Sequence, residues 1–306
     1  MEKKDLIRQN LLEKVADLHS VPDGAYNIRE NGQGVGRKST DEIKIENKVD
    51  APGIVVTVAD GTKRKSVHIP VVITETGLTE TVHNDFIIGR DCDVLIVAGC
   101  GIHNSGEERS AHDGVHTLRV GENSKVKYVE KHYAEGNGKR SMKPKMTVTL
   151  EKGAVVDIET VQLGGVSDSV RETVIDAGED ASIVITERIM TSENETVDSR
   201  TTVNLNGNGS SARINSRSVA RDDSVQIFYP AINGNAECFG HVQCDSIIMD
   251  RAKVRSIPEI CANDVDAKLI HEAAIGKIAG DQILKLMTLG LTADEAEERI
   301  LAGLLK

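Results

Sequence analysis

A weak internal repeat between residues 118 and 214 constrains the fold of this chain more than any other feature. The repeat unit is a short strand-like run, a turn with glycine, a small residue and a second strand-like run. The turn glycines Gly121, Gly153, Gly178 and Gly207 are 25 to 32 residues apart. Repeat units of this length without helices are typical of a β-solenoid, in which successive units stack around one continuous core. A β-sandwich with accidentally similar turns is the alternative.

The repeat lies inside a longer region, residues 54–262, with the same character. Short runs rich in Val, Ile and Thr, such as 54–58, 94–97, 115–120 and 146–150, are separated by Gly, Asn and Asp turns and predict strands. Aromatic residues make up only 2% of the chain, so the core has to be built from aliphatic side chains. We therefore predict a mainly β fold in which residues 54–262 form the core domain.

The two ends of the chain differ from this region and are suited to cover the ends of a solenoid. Residues 1–19 predict a helix because Leu11, Leu12, Val15 and Leu18 are near helical spacing. Residues 20–53, rich in Gly, Asn and charge, predict a loose connector, so residues 1–53 form one N-terminal unit.

The tail, residues 263–306, predicts a C-terminal helical segment that ends in a helical hairpin. Asp281 suits the N-cap of a first helix, and Gly290 suits the position just after its end. Thr292 followed by Glu295 is a capping-box pattern that opens a second helix, which we expect to end before Gly303.

Charge and composition exclude several classes of function. The net charge of −11 argues against nucleic acid as the main partner, because phosphate binding needs a basic surface. No apolar run approaches the ~20 residues of a membrane span, and the N-terminus shows no signal-peptide core. Five cysteines, an odd number, are typical of reduced thiols. We therefore expect a cytoplasmic protein without a membrane or nucleic-acid partner.

The segment Gly32–Ser39 resembles a phosphate-binding loop only superficially. Arg37 separates Gly36 from Lys38, and no strand–loop–helix context is evident, so we interpret the segment as a flexible loop. Any dependence on ATP therefore has to come from a partner.

The cysteines and histidines are the candidates for chemistry. Cys100 lies between two glycines, which would leave its thiol reachable, and reachable thiols can accept sulfur. Cys244 is followed 27 residues later by His271 and Glu272, a set of thiolate, imidazole and carboxylate groups that suits metal binding.

For each of these residues a structural role in the core is the alternative. Cys92, Cys238 and Cys261 have no CxxC partner and are expected in the core, without a closed zinc or ferredoxin-type site. His116 lies with His112 in a strand-like run, and we expect His116 to face solvent.

Three groups of segments resemble the SufB/SufD family, the scaffold proteins of the SUF system for iron–sulfur cluster assembly. The similarity covers roughly residues 50–306. The matching segments are 97–100 with 111–115 and 125–128, then 241–246 with 258–263, and finally 271–278 with 281–284 and 290–292. The chain departs from the family pattern at Ile270, where an acidic residue is frequent, and at Lys131 and Tyr133, where Gln and Trp are expected.

The resemblance implies a right-handed parallel β-helix core flanked by helices. It also implies that Cys244 ligates a transient iron–sulfur cluster, that His271 and Glu272 face Cys244, and that Cys100 receives persulfide sulfur. A cysteine at position 244 makes the chain SufB-like.

The implied partners are a SufC-type ABC ATPase, a second copy or a SufB/SufD paralogue, and a cysteine desulfurase with a sulfur-transfer protein. A flavin is possible in this family and is not readable from the residues. The chain is then an assembly scaffold rather than an enzyme. The alternative function is that of a β-helical carbohydrate-active enzyme, because solenoids can present carboxylate pairs on one face.

Overall fold

Two long sheets, built by a chain that crosses repeatedly from one to the other, form the body of the protein. The structure is a computed structural model that describes residues 3–16, 18 and 22–305. All strand pairs are parallel except β1 with β2 and β3 with β4, which are antiparallel. The first sheet contains, in spatial order, β2 (Gln33–Lys38), β1 (Ala25–Glu30), β5 (Lys63–Ile73), β7 (Asp93–His103), β9 (Lys125–Glu135), β12 (Val155–Leu163), β14 (Ser182–Thr191), β16 (Ser210–Ala220), β18 (Cys238–Ile248) and β21 (Lys268–Gly276).

The second sheet faces the first, so each coil of the chain contributes strands to both. The β-solenoid predicted from the repeat is confirmed. This sheet contains β19 (Lys253–Ser256), β17 (Val225–Gly234), β15 (Thr196–Leu205), β13 (Asp168–Ala177), β10 (Arg140–Met142), β8 (Ser110–Val120), β6 (Thr79–Ile88), β4 (Gly53–Val58) and β3 (Ile43–Asn47), with β11 (Lys145–Leu150) between β8 and β13 and β20 (Glu259–Ala262) beside β17.

The core consists of in-register columns of side chains that point inward from successive strands. Alternate residues of each strand are buried, as expected for side chains that alternate between the two faces of a sheet. One column runs Tyr128, Ile158, Ile185, Ile214 and Val242, each buried and each paired with the next through its strand. The aliphatic composition therefore suits a core in which each coil adds a nearly identical layer of side chains.

A stack of turns runs along one side of the solenoid and joins successive coils. Asp91, Asn123, Gly153, Asp180 and Gly209 all adopt left-handed backbone angles, with φ between 55° and 74°. Each of these residues donates its backbone N–H to a carbonyl in the turn of the next coil; Gly153, for example, donates to the Glu179 carbonyl at 2.9 Å. Of the four repeat glycines, only Gly153 needs its φ for this turn.

The helix predicted over residues 1–19 is observed as α1 (Lys3–Ala16), with residues 1, 2, 17 and 19 outside the described part. It packs on the outer face of the first sheet and buries Leu11, Leu12 and Val15. The contact is close because Gly99 has no side chain: an added Cβ would lie 2.3 Å from the Val15 carbonyl oxygen. The glycines beside Cys100 therefore accommodate a helix.

The loose connector predicted for residues 20–53 is wrong. These residues contribute β1, which pairs with β5 in parallel, and β2 and β3, which extend the two sheets by antiparallel pairing. Ile28, Ile43 and Ile45 point into cores while their polar neighbours face solvent, so the short alternating runs are strands. The expected flexible loop at Gly32–Ser39 is likewise mostly the strand β2, which follows a turn at Gly32 with φ 80°.

The prediction of a helical segment beginning at residue 263 is also wrong in part. The solenoid continues through β21 to Gly276, so that strand is its last. The side chains at 268–276 are partly exposed because no further coil covers them in the described chain, and this exposure disguises the strand pattern.

The helical hairpin itself is confirmed as α2 (Gly280–Met287) and α3 (Ala293–Leu304). The capping box is present, with the Thr292 backbone N–H donating to Glu295 Oε2 at 2.8 Å. Asp281 is in the first turn, not at the N-cap, which is Ala279. α3 also passes through Gly303 instead of ending before it. No helix in the described ranges is both long and apolar enough to cross a membrane.

Candidate functional site

A row of polar side chains runs through the interior of the solenoid, which we call the polar lane. Beginning on β9, the residues that pair through successive strands are Glu130, Thr160, Glu187, Ser216 and Cys244. All five are buried. Four strand spacings of about 4.8 Å separate β9 from β18, so the lane is about 19 Å long, and Cys100 lies one strand beyond its start, on β7.

A second column lies beside the first, two residues further along each strand, and it begins with Cys100. Cys100 pairs with His132, which pairs with Gln162; the apolar Ile189 then interrupts the column, which ends with Ser218 and Ser246. The Ser218 and Ser246 hydroxyl oxygens are 2.8 Å apart. The continuous polar connection from Cys100 to Cys244 therefore runs through the first column, which begins with Glu130 beside His132. The two cysteines that the sequence singles out for sulfur and metal chemistry therefore lie at opposite ends of one interior polar path.

Two polar atoms along this path are buried and have no hydrogen-bond partner within the described residues. They are Gln162 Nε2 and Ser216 Oγ. An unsatisfied buried polar group costs about 1–3 kcal/mol, so a fold seldom retains such groups without a use for them. The lane is suited to polar occupants.

At the start of the lane, Cys100 lines a narrow cavity with room for about one water molecule. The cavity is also lined by His112, His116, Glu130 and His132. Cys100 itself is only 2% exposed, so the expectation of a thiol left reachable by its glycine neighbours is wrong. Burial, followed by the charges of nearby carboxylates, raises the pKa of the Cys100 thiol well above its usual range.

Two of the three cavity histidines, His116 and His132, have a polar partner at each ring nitrogen. His116 Nδ1 is 2.5 Å from the Tyr128 hydroxyl, and its Nε2 is 3.2 Å from Asn84 Nδ2. Burial lowers the pKa of His116 to about 4, so the ring is neutral at pH 7. The expectation that His116 faces solvent is wrong, because alternation in β8 directs it into the interior.

Glu130 is an ionised carboxylate in the middle of the solenoid. Arg171 Nη1 donates to Glu130 Oε2 at 2.7 Å, and Arg171 Nη2 is 3.2 Å from His132 Nδ1. Burial by itself would raise the pKa of Glu130, but the attraction of His132 and Arg171 holds that pKa well below its usual range. The pair places a fixed dipole at the start of the lane.

At the far end, Cys244 is buried on β18, one strand from the edge of the first sheet. Its strand partners are Ser216 and Ala273, the latter on β21. Burial raises the pKa of the Cys244 thiol, and the neighbouring Ser256 hydroxyl opposes that effect. The partner of Cys244 on β21 is the small residue Ala273, and β21 is the edge strand at this end of the first sheet.

The structure brings His271 to the same face as Cys244 but not Glu272. His271 pairs with Val242, a core residue, and its Nε2 is buried without a hydrogen-bond partner among the described residues. Glu272, one residue later, points to the outer face, where its Oε1 is 2.9 Å from His241 Nε2. Among the described residues no three His, Cys, Asp or Glu side chains form a ready metal site.

The other three cysteines were all expected in the core, and two of them are buried there. Cys92 and Cys238 are buried, whereas Cys261 is exposed on β20 and donates to Asn263 Oδ1 at 3.1 Å. Cys261 was expected in the core, but it lies on the last strand of the second sheet, where no further coil covers it.

Sequence reasoning missed the interior role of Glu130, Arg171 and Glu187. The available signal is polar residues at inward positions of an alternating strand, as in Val126-Lys-Tyr-Val-Glu130-Lys-His132. In a single strand this signal is ambiguous, because the sequence does not say which alternate residues face the interior until the neighbouring strands are known.

Comparison with known proteins agrees with this architecture. The family model described as SUF system FeS cluster assembly, SufBD core domain, matches residues 71–304. A SufBD family iron–sulfur cluster assembly protein of Methanocaldococcus jannaschii is 31% identical over 82% of this chain and 79% of its own length. Proteins with the same family description from Pyrococcus horikoshii and Archaeoglobus fulgidus are each 27% identical, over 96% and 88% of this chain and over 84% and 73% of their own lengths. The chain belongs to the SufBD family of iron–sulfur cluster assembly proteins.

Proposed function

We propose that this chain is a scaffold subunit on which an iron–sulfur cluster is built and from which it passes to target apoproteins. Sulfur enters as a persulfide on Cys100. A two-electron reductant from outside the chain, such as a dithiol or a reduced flavin, releases it as hydrosulfide and restores the Cys100 thiol. The hydrosulfide then travels along the polar lane to Cys244, where iron joins it. The observation that supports this proposal most directly is the in-register polar path between the two thiols. Family membership favours this function over that of a carbohydrate-active enzyme.

The chemistry of the path fits sulfur in a polar form. Persulfide and hydrosulfide sulfur needs hydrogen-bond partners in a low-dielectric interior, and the unpartnered atoms of Gln162 and Ser216 offer them. The carboxylates of Glu130 and Glu187 are already held by Arg171 and Ser199, at 2.7 and 2.6 Å. The negative charge of Glu130 is therefore partly compensated by Arg171 and opposes a passing anion less.

The cluster itself needs more ligands than one chain places at the open end. Cys244 and His271 share a face there, whereas clusters usually have four protein ligands. β21 is an edge strand with unpaired backbone groups, and Phe239, Ile270 and Ile275 are exposed beside it. A second copy or a paralogue that pairs with this edge would supply the remaining ligands, and Glu272 would join the site from the outer face. We assign iron loading to Cys244, His271 and Glu272 on this basis.

Blocking the lane separates sulfur entry from cluster formation. In the Ser216→Val variant, Cys100 should still gain sulfur from a cysteine desulfurase and its sulfur-transfer protein, but labelled sulfide should appear in the cluster about tenfold more slowly. One lost polar partner on the path costs about 1–2 kcal/mol, which corresponds to that factor. Labelled sulfur in the isolated cluster measures the transfer.

Ser211→Val is the matched control, because Ser211 lies on the same strand as Ser216 but points outward. It should transfer sulfur at the rate of the unaltered protein. Equal transfer rates in Ser216→Val and Ser211→Val would contradict the lane.

The helical hairpin is the proposed docking site for an ABC-type ATPase. α2 has no buried residue, and Leu284, Met287 and Leu289 are 61, 42 and 75% exposed. Leu301 on α3 is buried and is therefore not part of this exposed surface. An exposed apolar centre with an acidic rim is the usual composition of a specific interface.

Charging this surface should remove ATPase binding. Leu284→Asp combined with Met287→Asp should weaken binding at least about 30-fold, since two interface anchors that each contribute about 1 kcal/mol or more together account for about 2 kcal/mol. Binding can be measured by calorimetry with the purified ATPase. Charging two equally apolar but distant positions, Val155 and Val174, is the control; they are 38 and 41% exposed on the solenoid wall. Unchanged affinity in the α2 variant would place the docking site elsewhere.

A further inference from the structure

His112 differs from the other two cavity histidines in having one ring nitrogen without a hydrogen-bond partner. Its Nδ1 is 3.2 Å from Glu80 Oε1, and Glu80 Oε2 accepts from Arg29 Nη2 at 3.0 Å. Within the described residues no hydrogen bond reaches His112 Nε2. Glu80 is ionised: burial tends to raise its pKa, but hydrogen bonds and charges from His112 and Arg29 lower it. The carboxylate is placed to accept the Nδ1–H of His112, which orients the ring so that Nε2 is the nitrogen left for another partner.

His116 and His132 cannot serve in this way. Asn84 and Tyr128 occupy the two nitrogens of His116. His132 Nδ1 lies against Arg171, and its Nε2 is 3.4 Å from Glu130 Oε1. Of the three rings that line the cavity, only His112 has a nitrogen available to accept a proton.

Gly114 leaves the space into which this nitrogen points. An added Cβ at Gly114 would lie 3.7 Å from His112 Nε2 and 3.1 Å from His116 Nε2. Cys100 lines the same cavity from the opposite sheet. The thiol and the free nitrogen therefore share a space that holds about one small molecule or one additional sulfur atom.

We infer that His112, oriented by Glu80, is the base that removes the proton from the Cys100 thiol when sulfur is loaded. This inference rests on the proposed function, because it concerns the sulfur-entry step. A nucleophile, a base and an orienting carboxylate make up the usual arrangement for activating a thiol. In this way His112 generates the Cys100 thiolate. Without a base, the buried thiol stays protonated and unreactive.

The step conserves atoms and electrons. The proton of Cys100 Sγ passes to His112 Nε2, and the thiolate attacks the outer sulfur of a donor persulfide. The new Cys100 Sγ–S bond forms as the donor S–S bond breaks, and the donor leaves as a thiolate that takes up one proton. The overall change is Cys–SH plus R–S–SH to Cys–S–SH plus R–SH, a transfer without net oxidation.

His112→Gln tests the inference. With sodium polysulfide as the donor, mass spectrometry of the full chain should show Cys100 gaining sulfur about 100-fold more slowly, a typical loss for a general base. His103→Gln is the matched control, because His103 Nδ1 is 3.1 Å from Glu135 Oε1, an equivalent pair that does not line the cavity. It should load sulfur at the rate of the unaltered protein.

The pH dependence separates a base from a purely structural residue. Without His112 the loading rate should rise about tenfold per pH unit between about pH 6.5 and 8.5, because only direct ionisation of Cys100 remains. The unaltered protein should show a much shallower rise. The other titratable or charged groups around His112 are the same in both proteins: Glu80 on β6, His116 on β8, Glu130 and His132 on β9, Arg171 on β13 and Arg29 on β1.

A second variant guards against misfolding of the first. Gly114→Ala fills the cavity while keeping every hydrogen bond of His112, and it should also slow the loading of Cys100. Loading of His112→Gln at the normal rate and with the normal pH slope would overturn the role of His112 and leave the proposed scaffold function intact. Failure of the unaltered protein to load Cys100 at all would reject sulfur entry at this residue, and with it the role of His112.

Discussion

Replacing Cys244 with alanine should abolish iron–sulfur absorption after anaerobic reconstitution, while the far-UV circular dichroism stays that of the folded solenoid. Cys244 is the buried thiol nearest the open end of the polar lane, and iron–sulfur clusters depend on thiolate ligands. The loss of fold stability should stay near that of a small core truncation, since the substitution removes one sulfur atom. The measurement is iron and sulfide content per chain together with the absorption spectrum.

Cys238→Ala is the matched control because Cys238 is also an inward, buried cysteine of β18. It lies six residues from Cys244, outside the lane, and should reconstitute normally. If Cys244→Ala retains its cluster in full, the assembly site is not at this thiol. If both variants lose it, the effect comes from the fold and not from ligation.

The second large effect concerns stability. Arg171→Met should lower the free energy of unfolding by about 3–5 kcal/mol, because it leaves the buried carboxylate of Glu130 without its cation. Urea denaturation of the full chain, monitored by circular dichroism, measures the change. The double variant Glu130→Gln with Arg171→Met should recover much of the loss, since a neutral pair does not require charge compensation.

The sign of the pH dependence provides a further check on this variant. The pKa of Glu130 is lower in the folded protein than in the unfolded chain, so the ion pair stabilises the protein above the unfolded pKa of about 4.3. This contribution is lost as the pH falls through the folded pKa. The difference between the unaltered protein and Arg171→Met should therefore shrink below about pH 4. A constant difference at all pH values would show that the effect of Arg171 is steric.

Much of the architecture can be predicted from local pattern. The spacing of Gly121, Gly153, Gly178 and Gly207 predicts a solenoid, and Thr292 with Glu295 predicts the start of α3. These predictions succeed because turn chemistry and helix capping depend on neighbours a few residues apart. The connector at 20–53 and the helical start at 263 fail because both segments are strands at the ends of sheets, where few residues are buried.

The identity of the chemical groups follows from the sequence, but their relation in space does not. The residue types and the family resemblance together are sufficient to single out Cys100, Cys244, His271 and Glu272. Whether the two cysteines communicate depends on the register of successive coils, and the coils differ in length, so no fixed spacing along the chain encodes the column from Glu130 to Cys244. Likewise His271 and Glu272 are adjacent in sequence but lie on opposite faces of β21, because side chains alternate along a strand.

The sequence by itself therefore determined the solenoid, the hairpin and the family, each of which is encoded in local spacing or in short motifs. Only the tertiary structure decided that Cys100 is enclosed with His112, that a polar path joins it to Cys244, and that Glu272 faces away. The physical reason is that strands about 30 residues apart in the sequence stack on one another through backbone hydrogen bonds between coils. This stacking decides which side chains of each strand point inward and which residues of successive coils are aligned.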